Sequence, residues 1–216
     1  NHVLRRPDRR IGVHGEHGVV VGLVPSVLLI GLAALFVRAT FRAARVDVGF
    51  DASRVYSVAE GSGDAFNDDG ARAREFQSRA MPVLRGVPGV EAVTLVEVTP
   101  FSGITRSSVT REDPGRVVFL TGTDAMYFEA VGLRVLAGRT YTTDEVTGSA
   151  NVAVISESLA RAYWPAGSPL GELLPQQIPI ASSRPVIIGV VGDAIMARVD
   201  QGTALAVYRP IRPQHL

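Results

Sequence analysis

The chain has 216 residues, 22 basic and 21 acidic, a net charge of +1, and neither cysteine nor lysine, so every basic residue is arginine. Its length suits one domain with or without an appendage, its 46% hydrophobic content excludes a disordered tail, and its balanced charge offers no global field for nucleic acid. Without cysteine there are no disulfides, thiolate metal sites or thiol nucleophile; without lysine there is no Walker loop, so the chain is not itself a P-loop ATPase or GTPase.

Residues 1–17 hold Arg5, Arg6, Arg9 and Arg10 and then a Gly/His stretch. From Val19 to Val37 the run VVVGLVPSVLLIGLAALFV carries no charge over 19 residues. As a helix it is about 28 Å long, the thickness of a hydrocarbon core, and it reads as a transmembrane helix. A signal peptide is the rival, but its apolar core is shorter and ends in a cleavage site, whereas RATFRAARVDVGF follows here. Four arginines precede the span and Arg38, Arg42 and Arg45 follow it, a slight bias toward a cytoplasmic N-terminus. Pro25 lies inside the span. Gly18, Gly22 and Ser26 form a stripe open to close helix approach, although glycine is common in membrane helices anyway.

From Val46 the chain reads as a water-soluble domain. A strand is expected at 55–59. A helix is expected at 71–85, where Phe76, Ala80, Leu84 and Val87 recur near helical spacing and Pro82 should kink or shorten the last turn. VPGV is a turn before a strand at 90–98, and 100–115 is loop-like. Further strands are expected at 117–121, 152–155, 186–191 and 205–208, and helices at 125–131 and 157–163, the latter ending at Trp164-Pro165. Gly138 and the TYTTDE segment read as a turn and a polar loop. Short strands mixed with short helices indicate an α+β fold, not a doubly wound parallel sheet.

Catalytic groups are hard to assemble. The four histidines, His2, His14, His17 and His215, lie outside the body of the domain, so no Ser/His/Asp arrangement can form there. His14 and His17 flank Glu16, but the spacing is not a metalloprotease pattern and reads as a solvated linker. Asp68 with Asp69 and Asp144 with Glu145 are sequence neighbours in polar loops, poor acid–base pairs. GVVGD at 189–193 lacks a full nucleotide-binding glycine turn, and Asp193 reads as a turn residue bonding nearby backbone. The aromatics Tyr127, Phe128, Tyr163 and Trp164 are not interleaved with arginines and read as core. No catalytic residue, cofactor site or metal site is expected, and no nucleic acid partner.

In order, ALFVRATFRAARVDVGFDASRVYSV, LRGVPGVEAVTLVEVTPFSG, MYFEAVGLRVLAGRTYTTDE, NVAVISESLARAYWPAGSPLGELL, PVIIGVVGDA and AVYRPIRPQ form a succession that resembles the MacB-like periplasmic core domain. It most resembles the version in the orphan-permease type of FtsX/MacB-family ABC transporter permeases, over about Val27 to Gln214. The pieces that carry the resemblance are Gly49-Phe50, Pro88-Gly89, Tyr127-Phe128, Gly132, Gly138-Arg139, VAVISESLAR, Pro169 to Gly171, and Gly189, Gly192 and Asp193 in GVVGD. Gly132, Gly138 and Gly171 suit tight turns or positive φ, and Arg139 suits a fork onto a carboxylate or carbonyls, so these positions are expected to determine fold.

The resemblance implies an arginine-rich juxtamembrane segment at 1–17, a transmembrane helix and extension at 18–45, and a two-lobed extracytoplasmic domain at 46–216. By position, a ferredoxin-like, porter-like lobe takes 46–115 and 185–216, and a small mixed α/β insertion lobe takes 116–184. It further implies a non-catalytic permease subunit in the bacterial inner membrane, working as a homodimer with a separate ATP-binding subunit whose motion the domain couples to export or partner control. Pro25 and Pro82 depart from the family pattern. Asn1 is not a Met start and the chain stops before further membrane helices, so a fragment of a longer protein is expected. The alternative is a single-pass anchored binding or sensor module that works without an ATPase.

Overall fold

The computed structural model describes residues 16–43, 48–50, 52–58, 71–99, 107–109, 117–178, 184–195 and 205–211. They fall in two compact units, Asn1–Val46 and Asp47–Leu216. His2, His14, His215, Arg5, Arg6, Arg9, Arg10, Arg45, Asp68 and Asp69 lie outside the described residues, as do the side chains of 16–26.

The first unit holds α1 (Glu16–Ala43), one helix of 28 residues that continues through Pro25. From Val27 to Phe41, where side chains are described, its apolar residues face outward; Ile30 is 69% and Phe36 75% exposed. Among the described residues no helix is long and apolar enough to cross a membrane.

The second unit rests on six strands: β1 (Ser107–Val109), β2 (Val117–Thr123), β3 (Val135–Gly138), β4 (Val152–Ser156), β5 (Val186–Val191) and β6 (Leu205–Pro210). They form one sheet in the order β1-β2-β6-β4-β5-β3. β2 and β6 run parallel from Val118↔Leu205 to Thr123↔Pro210, and β4 and β5 are also parallel. β1 on β2, β4 on β6 and β3 on β5 are antiparallel. The fold is thus a mixed sheet with helices. Of the four central strands, β2, β4 and β5 are rich in β-branched residues, which fit a pleated surface buried on both faces.

Period-two alternation sorts the core into two clusters. Phe119, Val154, Val191, Ala206 and Tyr208 share one with Tyr127 and Phe128. Val118, Ile155, Val190 and Val207 share the other with Leu159. The first cluster is therefore served by α3 (Tyr127–Val131), the second by α5 (Glu157–Tyr163). Strands from 116–184 and from 185–216, assigned by position to different lobes, are hydrogen-bonded neighbours in this sheet.

Each sheet edge is shared by two short pieces. On β2, β1 covers Val117 to Phe119, while residues 95–97 cover the far end through Glu97 N–H to the Gly122 carbonyl (2.8 Å) and Asp124 N–H to the Leu95 carbonyl (3.1 Å). On β5, β3 covers Gly189 to Val191, while residues 171–174 cover the rest, with Gly171 N–H to Ile187 (2.8 Å) and Leu174 N–H to Pro185 (2.9 Å).

Several elements differ from expectation. Residues 55–58 lie outside any strand, and of 90–98 only Val96 makes a bridge, to Thr123. β1 lies in the expected loop and β3 just before the expected turn. The polar TYTTDE loop holds α4 (Thr143–Thr147), started by a capping box. The Thr142 hydroxyl accepts from Glu145 N–H and the Glu145 carboxylate accepts from Thr142 N–H. α2 (Ala71–Arg85) runs through Pro82 to Arg85, so the proline does not shorten it. Only one turn remains beyond Pro82, and Gly86 N–H still finds the Pro82 (3.2 Å) and Val83 (3.1 Å) carbonyls.

Candidate functional site

The motif positions, scattered along the chain, meet at three places. The first is where the chain comes into the second unit. Ile195 N–H donates to the Val48 carbonyl (2.9 Å), and Phe50 packs on the aromatic core. Gly49 has φ +84, and a Cβ there would run into the Asp193 carbonyl oxygen and Ala194 Cα. Only glycine tolerates both that φ and that approach. Gly192 N–H donates to the Arg134 carbonyl (2.9 Å).

Asp193 turns its carboxylate the other way, onto the first turn of α5. It accepts from Ser158 N–H (2.7 Å), from the Ser158 hydroxyl and from Arg161 (3.1 Å). Asp193 is thus no local turn residue: it caps a helix 35 positions away, satisfying a free N–H and opposing the positive helix end. Arg161 also pairs with Glu157 at 2.6 Å. The segment at 48–50, the end of β5 and the start of α5 are clipped together through one residue.

The second place is the β3–β5 edge. Gly138 and Gly189 pair directly. A Cβ on Gly189 would strike the Arg139 carbonyl, and one on Gly138 the Ile188 carbonyl. The close approach lets Arg139 N–H reach Ile188 (3.0 Å). The Arg139 side chain forks onto Glu145 at 2.7 and 2.8 Å and reaches the Thr140 carbonyl (3.1 Å). That fork, then the Thr142 N–H, holds the Glu145 carboxyl down at about 2, far below the ordinary carboxylate range. Leu170 packs beside Gly138, flanked by buried Pro169 and by Gly171 at φ +83.

The third place is the aromatic core. Phe128 stacks edge-on with Tyr208 (5.3 Å) and Tyr141 (5.5 Å), and Tyr127 lies 6.0 Å from Tyr208. Gly132, at φ +76, ends α3 in the left-handed conformation, with Leu133 N–H returning to Phe128 (2.8 Å). The Tyr141 hydroxyl bonds Thr123 and donates to the Arg209 carbonyl (3.1 Å). Burial pushes the phenols of Tyr127, Tyr141 and Tyr208 well above their ordinary value, so they stay neutral. Pro88 and Gly89 stand apart in a type II turn closed by Val90 N–H to Val87 (3.1 Å), with Gly89 at φ +88.

Sequence reasoning missed one buried ion pair. Arg209 lies 3.2 Å from both Glu97 oxygens, with the Glu97 side chain 4% and the Arg209 side chain 16% exposed. Gly122 N–H also donates to Glu97 (3.1 Å), which occupies the space where a Cβ on Gly122 would sit. A lone charge of each sign within the apolar stretches VTLVEV and LAVYRP was the available signal, since buried charges need partners.

No acid–base chemistry follows from these clusters. Each carboxylate described above is engaged by an arginine, and the Ser158 hydroxyl by Asp193. Among the described residues no three His, Asp or Glu side chains converge as a metal site. The arrangement holds segments of the domain at fixed separations.

The sequence model of the MacB-like periplasmic core domain matches residues 18–214. Among curated proteins, the macrolide export ATP-binding/permease protein MacB of Mannheimia succiniciproducens is 32% identical over 92 residues, and that of Aggregatibacter actinomycetemcomitans 35%. Each match takes in 42% of this chain and 13% of the relative's length. Among solved structures, the periplasmic region of MacB from Actinobacillus actinomycetemcomitans is 24% identical with a TM-score of 0.40, covering 60% of this chain and 54% of that one. The extracellular domain of the noncanonic ABC-type transporter YknZ from Gram-positive bacteria is 23% identical with a TM-score of 0.42, covering 61% and 60%. With the match running from α1 through β6, the chain belongs to the MacB-like periplasmic core domain family.

Proposed function

We propose that this chain is part of a non-catalytic permease subunit of an ABC-type transporter in the bacterial inner membrane. In this reading α1 crosses the membrane, the unit Asp47–Leu216 lies outside the cytoplasm, and a separate ATP-binding subunit supplies energy. The observation that carries the reading is the family match, which takes in both α1 and the folded domain. Two features support it. α1 presents apolar side chains outward from Val27 to Phe41. Within the second unit, the clip of Gly49, Asp193 and Ser158 joins the segment at 48–50 to α5 and β5. ATP-driven motion drives export or controls a partner, and two permease copies work together.

The 216 residues hold no cysteine, so a single one can be introduced as a label. Tyr56, 90% exposed, is changed to Cys in this chain expressed in cells. A membrane-impermeant maleimide should label it in intact spheroplasts, and the protein should resist carbonate extraction. Labelling only after permeabilisation overturns the topology. ATP hydrolysis by a co-expressed ATP-binding subunit should change when the permease carries Gly49→Ala. An unchanged rate favours an anchored sensor module that works without an ATPase.

A further inference from the structure

We propose that the C-terminal end of α1, residues 38–43, binds anionic phospholipid headgroups. The inference rests on the membrane-spanning reading of α1. At 1.5 Å per residue, α1 with its 28 residues is about 42 Å long, and the uncharged run from Val19 to Val37 fills about 28 Å of that. The rest beyond Val37 is about 9 Å of helix, close to the roughly 5–8 Å of one headgroup layer. Those residues are not apolar. Arg38 is exposed, and Arg42 follows four positions later in the same helix. Phe41 between them is 61% exposed, an aromatic at the level where ring and headgroup meet. Arg45 continues the spacing, and no acidic residue intervenes before Asp47.

Charge bias sharpens the point. In the proposed orientation this end of α1 emerges outside the cytoplasm, where the positive-inside tendency leaves short flanks poor in arginine. Arg38, Arg42 and Arg45 run against that tendency. Guanidinium groups match phosphate oxygens two at a time, so a phosphodiester headgroup with net negative charge is the partner whose chemistry fits. Such contacts would hold the end of α1 at a fixed depth, just before the chain comes into the clip at Gly49.

The test uses the full chain reconstituted in vesicles of phosphatidylcholine alone and of phosphatidylcholine with phosphatidylglycerol. After carbonate washing and extraction in native-lipid discs, the lipid retained is measured by mass spectrometry. Wild type should retain phosphatidylglycerol about two- to fivefold above its bulk share. The Arg38→Gln/Arg42→Gln double variant should fall to the bulk share, while Arg79→Gln, on exposed α2, should match wild type. Bulk composition around wild type, or full enrichment around the double variant, overturns the inference and leaves the spanning reading intact. A chain that washes off both kinds of vesicle overturns the spanning reading, and this inference with it.

Discussion

Gly49→Ala should detach the segment at 48–50 from the domain, and its cost can be compared with that of Gly89→Ala. The two glycines have nearly the same φ, +84 and +88. They differ in surroundings: a Cβ at Gly89 meets nothing within 4 Å, whereas one at Gly49 runs into the Asp193 carbonyl and Ala194 Cα. Left-handed backbone alone costs an alanine about 1–2 kcal/mol, and that is the whole expected loss at Gly89. At Gly49 the collision is with backbone, so the segment must move. It then loses the Ile195–Val48 hydrogen bond, about 1 kcal/mol. Part of the Phe50 contact with the aromatic core goes too, about another 1 kcal/mol. The expected total is about 3–4 kcal/mol, limited by what docking of this segment contributes. Urea unfolding of the full chain in detergent can be followed by Trp164, its only tryptophan. Amide exchange at Ile195 reports the local event. Equal midpoints for the two variants, with Ile195 protection unchanged, would refute the clip.

Three further outcomes are expected. Gly189→Ala needs no unusual φ, yet its Cβ meets the Arg139 carbonyl, so it should cost about 2 kcal/mol or more and raise amide exchange at Arg139. Glu97→Ala strands the Arg209 charge and should cost about 3–5 kcal/mol, whereas Glu97→Met/Arg209→Met should recover much of that loss; equal losses would show that the pairing does not matter. Glu145 titrates lower in the folded chain, about 2 against an ordinary 4.5, so its contribution is present above the ordinary value and disappears as pH falls through about 2. Because Arg139 is 55% exposed, solvent screening reduces that contribution to about 1 kcal/mol. Glu145→Gln should therefore lower the midpoint near pH 7 and leave it unchanged near pH 2.

The central strands were legible because buried, β-branched runs such as VIIGVV have few alternatives. α5 was legible through the Trp164-Pro165 stop; its Ser156 cap is seen only in the structure. β3 and β1 were not, being three or four residues long and lying at sheet edges. Pattern needs length, and these have none to spare. α4 spans five residues without apolar periodicity, and its only advance notice was the T-x-x-E spacing from Thr142 to Glu145. The extended stretch at 90–98 had strand propensity but pairs only near its end. Glycine positions could be recognised as turns in the sequence, whereas the meeting of Gly49 with Asp193 could not. That contact joins residues far apart in the chain, and local propensity carries no information on it. The same distance hid the Glu97–Arg209 pair and the interleaving of strands that position alone assigned to separate lobes.

The place of β6 constrains how the protein is made. Among the described strands β6 comes last in sequence, yet it lies between β2 and β4 in the middle of the sheet. During synthesis β2 and β4 emerge first and cannot join through their missing neighbour. The ribosome needs roughly 2.5–10 s, at about 5–20 residues per second, to travel from Ser156 to Leu205. Once β5 is made, at Val191, the nascent domain holds two unjoined halves, β1 with β2 and β3 with β5 and β4, until β6 follows. A stall or truncation anywhere before Leu205 leaves a chain that a holding chaperone must shield, and completion of one six-residue strand closes the sheet.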